Sequence, residues 1–249
     1  MKIFRSENKI FRSPYIFRTI WKPSSLDDMI FWGNSNKKNI IIDEENPQIN
    51  NIKTWIDISG KINNATQNNF SLQPEYKNDA LYFNITNNIQ VNLNINYFTI
   101  FTLSKISNNN ILYEFGDDVS DETGFRLIGT DDNSISVSKN GFSGLATSRN
   151  TNDNNWLDNN NLQLICHSYG GTNQSHKLYI NNSFIPTTTN YSMNPGDLNL
   201  SETLNIGSRS DNSLGIQGYI YEFLIYNREL SYEEIQRVTN YINDKYSVF

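Results

Sequence analysis

The chain has 249 residues, a formal net charge of −6, 37% hydrophobic and 18% charged content, and one cysteine. The acidic balance weighs against a nucleic-acid groove, and a single thiol excludes an internal disulfide. No apolar run approaches the roughly 18 residues of a membrane span. Polarity comes chiefly from Asn, Ser and Thr, with Asn at about one residue in six. That balance suits a β-sandwich with polar outer faces better than a helical protein, whose surface would carry Glu and Lys. Richness in Ile, Asn, Lys, Tyr and Phe is expected of an AT-rich coding genome, as in many viruses and some bacteria. The N-terminus lacks the continuous apolar core of a signal peptide, so a soluble product made in a cytosol is expected.

Residues 1–23 differ from the rest. Ile3-Phe4-Arg5, Ile10-Phe11-Arg12 and Ile16-Phe17-Arg18 form an imperfect threefold repeat, and Lys2, Arg5, Lys9, Arg12, Arg18 and Lys22 face a single acid, Glu7. A basic, aromatic arm therefore precedes an acidic body. One reading is an edge strand or a mobile tail. The other is a docking arm whose Ile and Phe fill pockets on a partner while Arg pairs with acids at the rim. Repeated apolar pairs fit a purely solvated tail poorly. Pro14 and the lack of a helical moment disfavour a membrane-surface helix.

The body runs over 24–249 with no internal break. Leu26 to Trp32 opens it, and Ile40-Ile41-Ile42 reads as a strand. Asp43-Glu44-Glu45 reads as a solvated loop. In Thr54-Trp55-Ile56-Asp57-Ile58-Ser59-Gly60, Trp55 and Ile56 alternate into and out of a core. Asp57 and Ser59 can bond the turn that Gly60 permits. Ile89, Val91, Leu93 and Ile95 alternate with Gln90, Asn92 and Asn94, the period of a half-buried strand. Strands are also expected at Ala80–Phe83, Phe98–Leu103, Leu112–Phe115, Phe125–Ile128, Ile135–Val137 and Leu162–Cys166. Lys177 to Ile185 reads as a hairpin turning at Asn181-Asn182, and Asn150 to Asn161 as a long loop. Cys166, flanked by Leu164, Ile165 and His167, is expected to be a buried, inert thiol.

Gly218 to Tyr226 is dense in β-branched and aromatic residues and reads as a central strand, buried on both faces for part of its length. Ser231-Tyr232-Glu233-Glu234 is a capping box. Ile235, Val238, Tyr241, Ile242 and Tyr246 then recur at helical spacing, which gives a short amphipathic helix.

Several of these stretches resemble segments of laminin-G-like, concanavalin A-like jelly rolls of viral and bacterial surface proteins. The closing strand with Leu-x-Tyr-Asn-Arg-x-Leu and its helix, the Trp55–Gln67 segment, the Leu178-Tyr179-Ile180-Asn181 hairpin and Leu204-Asn205-Ile206-Gly207 occur in the family's order. Gly33 and Asn34 stand where Leu and Asp are usual, and Asn182 where Gly is. The resemblance covers about residues 24 to 246. It implies an all-β fold: an antiparallel two-sheet jelly-roll sandwich with a short C-terminal helix, behind an extended N-terminal arm.

A glycosidase on such a fold needs two carboxylates about 5–9.5 Å apart. The strand-borne acid clusters of related glucanases are missing, which leaves Glu114, Glu222 and Asp57 as suspects from separate strands. His167 and His176 are too few and too loosely placed for zinc. No catalytic residue is expected, and no cofactor beyond a calcium ion. The ligands for that ion would be Asp117, Asp118, Asp121 and Glu122, clustered in one loop, with Asp131 and Asp132 in another. Sugar binding needs aromatic faces with amides and carboxylates around them, and Trp156, Tyr169 and Tyr191 are candidates.

The expected function is a non-enzymatic virion surface protein: a head fibre, capsid decoration or tail appendage assembled in the host cytoplasm. Ile3, Phe4, Arg5, Ile10, Phe11, Arg12, Ile16, Phe17 and Arg18 would dock it to other virion structural proteins. The jelly roll, expected as a homo-oligomer, would meet glycans or a host surface, with no nucleic acid and no membrane span. The alternatives are a glycoside hydrolase or lyase, and a bacterial surface adhesin.

Overall fold

The computed structural model describes residues 21–44, 49–107, 110–116, 124–128, 134–138, 147–151, 161–172, 174–192 and 196–249. In chain order the first strands are β1 (Met29–Asn34), β2 (Ile40–Ile42), β3 (Ile52–Trp55), β4 (Ala65–Thr66), β5 (Glu75–Lys77) and β6 (Ala80–Asn84). Next come β7 (Ile89–Ile95), β8 (Phe98–Ile106), β9 (Ile111–Gly116), β10 (Gly124–Ile128), β11 (Ser134–Ser138) and β12 (Thr147–Thr151). The last are β13 (Gln163–Tyr169), β14 (Lys177–Ile180), β15 (Ser183–Phe184), β16 (Thr187–Ser192), β17 (Leu200–Ile206) and β18 (Gln217–Tyr226), followed by the helix α1 (Tyr232–Tyr246).

The strands form two antiparallel sheets, as expected. One has eight strands in the order β15-β14-β13-β8-β18-β6-β5, with β1 also paired to β18; the other has ten, β16-β12-β11-β10-β9-β17-β7-β4-β3-β2. The inner faces meet over a core that includes Phe31, Trp55, Phe83, Tyr113, Phe115 and Phe223, all fully buried. Phe125 stacks on Phe98 at 4.0 Å and on Phe115 at 5.1 Å. Each such ring contributes burial and offset-stacking energy together. Gly33 departs from the family pattern for a packing reason: a Cβ there would lie 2.5 Å from the Trp55 indole.

β18 is the central strand the sequence predicts. β8 runs along one of its edges, while β6 takes Gln217–Ile220 and β1 takes Glu222–Tyr226 along the other. A bulge sits at Tyr221, since Ile220 faces Ser104 and Glu222 already faces Leu103. The extra residue shifts the side-chain parity. Ile220 and Phe223, three apart, therefore both enter the core between the sheets, and Glu222 turns to the opposite face with Leu224 and Tyr226.

That opposite face is covered by α1. Ile235, Val238 and Ile242 pack on Phe101, Leu103, Leu164, Cys166 and Leu224. The capping box is formed: the Glu234 backbone N–H donates to Ser231 Oγ, and the Ser231 backbone N–H donates to Glu234 Oε2 at 2.9 Å. Arg228 donates two hydrogen bonds of 2.8 Å to the same carboxylate. With that pair as the main cause, the Glu234 carboxyl is held down to about 2. The hairpin at Asn181-Asn182 is also present, both residues at positive φ as a two-residue I′ loop requires. Trp21 packs on Tyr241, and the Tyr226 hydroxyl donates to Pro23 O. The last residues of the stretch read as an arm thus touch the body.

Candidate functional site

The outer face of the ten-stranded sheet follows from one alternation. In β7, Ile89, Val91, Leu93 and Ile95 point into the core, which leaves Gln90, Asn92 and Asn94 on the outside. β17 sets Asn205, Thr203 and Ser201 directly opposite them. Gln90 Nε2 donates to Asn205 Oδ1 at 2.8 Å, and Thr203 Oγ1 donates to Asn92 Oδ1 at 2.7 Å. The result is a ladder of amides and hydroxyls across two strands. Asn92, Asn94 and Ser201 are exposed. Between the strands lies a cavity of about 280 Å³ lined by Asn92, Leu93, Asn94, Ser201, Glu202 and Thr203. It falls just short of the roughly 300–1,000 Å³ of clefts for drug-sized ligands, which suits a small polar group. Carboxamides and hydroxyls both donate and accept. Such a surface can bond sugar hydroxyls in either sense.

The ladder continues into β9 and β10, where Glu114 stands opposite both Asn205 and Arg126. Glu114 is fully buried, accepting from the Ser210 backbone N–H at 2.7 Å, with Arg209 Nε at 3.7 Å. A buried carboxylate is tolerated only with such partners.

The other two suspected acids are equally engaged. Glu222 is buried beneath α1, where it accepts from Trp32 Nε1 at 2.7 Å and Lys245 Nζ at 3.0 Å. Burial first, and the Glu222 charge second, push up the hydroxyls of Tyr241 and Tyr246. Asp57 organises the loop between β3 and β4. It accepts from the Trp32 and Ser59 backbone N–H groups, from Ser59 Oγ and from the Asn63 N–H, all at 2.8–3.0 Å. Gly60 at φ +92° makes that turn possible, as the sequence anticipates. Sheets in a sandwich stack about 10 Å apart. Glu114 and Glu222 lie on opposite outer faces, so they are separated by more than that gap and cannot flank one glycosidic bond.

The two histidines, judged too few and too loosely placed for zinc, meet in the core. Tyr113 Oη lies 2.7 Å from His167 Nδ1, and His167 Nε2 lies 2.9 Å from His176 Nε2. Burial drives His167 down to about 3, so its ring is neutral. The signal for it was the alternation Ile165, His167, Tyr169, which puts all three on one face of β13. The same alternation corrects the assignment of Tyr169 as a sugar platform. Tyr169 is fully buried, its ring 5.8 Å from Phe98 and its hydroxyl donating to Gly196 O. Cys166 points the other way, under α1, where burial pushes its thiol up; it is the inert thiol expected.

Trp156, Asp117, Asp118, Asp121, Glu122, Asp131, Asp132 and every residue of the Ile-Phe-Arg repeats lie outside the described residues, and for Tyr191 only its backbone place in β16 is described. Among the described residues no group of three His, Cys, Asp or Glu could hold a metal, and no helix is long and apolar enough to cross a membrane.

A sequence profile of the concanavalin A-like lectin/glucanases superfamily matches residues 86–236. No curated protein sequence matches the chain. Among solved structures, a Trypanosoma rangeli sialidase in complex with sialic acid superposes with a TM-score of 0.56 at 12% identity, over 89% of this chain and 34% of that one. The binding domain of Paraclostridial Mosquitocidal Protein 1 gives 0.53 at 17% identity, over 89% and 53%. The binding domain of Botulinum Neurotoxin DC in complex with SialylT gives 0.52 at 15%, over 89% and 52%. The chain spans about a third to a half of the length of these proteins, and at such identities the likeness is one of fold.

Proposed function

The chain belongs to the concanavalin A-like lectin/glucanases superfamily, and from that premise we propose that it is a non-enzymatic glycan-binding module carried on a virus particle by its N-terminal arm. The observation that supports glycan binding is the amide and hydroxyl ladder of β7 and β17 with its cavity. Asn92, Asn94, Ser201 and Thr203 would bond sugar hydroxyls. No aromatic ring lines the cavity among the described residues, so a single site binds weakly. Several copies on one particle would multiply weak contacts into avidity. Particle attachment is supported by the basic Ile-Phe-Arg repeats, which combine apolar anchors with charged rims.

A glycan array tests the first half. The full chain, clustered on a multivalent support, is expected to retain a set of glycans, and Asn92→Ala with Thr203→Ala is expected to lose them. Retention unchanged in that variant moves the site elsewhere, and no retention by either protein removes the glycan reading. Capture from source particles tests the second half, comparing the full chain with one lacking residues 1–20, which spares the Trp21 and Pro23 contacts. A virion structural protein held only by the full chain is the expected result; equal capture by both refutes the anchor.

A further inference from the structure

A larger groove lies on the other side of the molecule. It has a volume of about 650 Å³ and is lined by Trp21, Arg237, Asn240, Tyr241, Asp244 and Lys245. The five α1 positions form one helical stripe, next to the stripe of Ile235, Val238 and Ile242 that packs on the sheet. Two aromatic rings line it: Trp21 meets Tyr241 edge-on at 6.2 Å, with the buried Trp32 behind Tyr241 at 6.0 Å. Lys245 is committed to Glu222. Asp244 and Asn240 are exposed at the rim. Aromatic walls with a carboxylate at one end suit an apolar side chain followed by a base.

The chain carries such a pair next door. Trp21 is the first described residue, and the third Ile-Phe-Arg repeat ends three positions before it. We infer that this groove takes Ile16, Phe17 and Arg18 of the same chain, with Phe17 against Tyr241 and Trp21 and the Arg18 guanidinium on Asp244. Reach permits it: four extended residues span at most about 14 Å, and the stripe from Arg237 to Lys245 is about 12 Å long at 1.5 Å per residue. Charge favours it. Residues 1–23 hold six bases and one acid, while residues 24–249 hold 14 bases and 25 acids, so the body's field attracts the arm. The two earlier repeats, beyond Pro14, are left for a partner. The arm is thus divided into one repeat that fastens it to the body and two that project.

Thiol accessibility in the full chain tests this, because the only native thiol, Cys166, is buried. In the Asn240→Cys protein the new thiol lines the groove. Adding Phe17→Ala is expected to speed its modification by about tenfold, as for a site covered nine-tenths of the time, while Phe4→Ala leaves the rate unchanged. Arg18→Glu is expected to speed it too, and Asp244→Arg to reverse that effect. Asp244→Cys provides a second reporter at an exposed rim position, should Asn240→Cys fold poorly. Equal rates with Phe17→Ala and Phe4→Ala overturn the inference. Protection that grows with protein concentration also overturns it, in favour of the arm of a second copy.

Discussion

On the eight-stranded sheet the outward residues Phe101, Leu103, Leu164, Cys166 and Leu224 are as apolar as the inward ones, and α1 covers them. On the ten-stranded sheet the outward residues of β7 and β17 are Gln90, Asn92, Asn94, Ser201, Thr203 and Asn205, bonded in part to one another and in part exposed. One helix of fifteen residues accounts for the contrast. A covered face must be apolar, and its few polar groups must be paired, as Glu222 is by Trp32 and Lys245. A face whose residues meet solvent, as Asn92, Asn94 and Ser201 do, must be polar.

The contrast can be broken from the covered side. Val238→Asp would place an unpaired carboxylate in the seam between α1 and the sheet, and is expected to cost about 3–5 kcal/mol, read by urea unfolding. A loss below about 1 kcal/mol would mean that α1 does not hold the sheet's outer face. The core common to both faces gives the next effect. His167 titrates near 3 when folded and near 6.5 when unfolded, so only the unfolded chain takes up this proton between those values. Its contribution is complete above pH 6.5 and declines as pH falls toward 3. A loss of about 2–3 kcal/mol is expected between pH 6.5 and 4.5, a window above the main titration of ordinary carboxylates. His167→Phe with His176→Phe should flatten thermal stability across that window; an unchanged slope would assign it to other groups. The bare side gives the smallest effect. Asn92→Ala is expected to change stability by less than about 0.5 kcal/mol, as surface substitutions do. A larger loss by denaturant titration would make the ladder a structural brace rather than an open surface.

Period carried most of what the sequence could say. β7 was legible because its polar and apolar residues alternate, and β18 because it reads as a β-branched and aromatic run interrupted only by Glu222. The capping box of α1 and the Asn181-Asn182 turn were legible because each is local chemistry. The bulge at Tyr221 was not, since nothing in Ile-Tyr-Glu-Phe marks an unpaired residue. Without it, Glu222 looks like a lone strand acid instead of the anchor under α1. Tyr169 was misplaced for the opposite reason. Its polar tip suggested a site, while the alternation Ile165, His167, Tyr169 already assigned it to the core. The ladder itself was visible only as an excess of asparagine. Its meaning comes from the register of β7 against β17, which pairs residues more than a hundred positions apart.

β18 also governs when this molecule can exist. It joins β8 to both β6 and β1, and pairs Tyr226 with Met29 across almost the whole fold. During synthesis, which adds about 5–20 residues per second, β1, β6 and β8 emerge long before their common neighbour. They must wait with open edges, and such edges recruit other chains. Assembly of the eight-stranded sheet is therefore expected to be post-translational and slow, in keeping with its non-local pairing. Any nascent chain halted before residue 217 would lack the strand that closes the sheet.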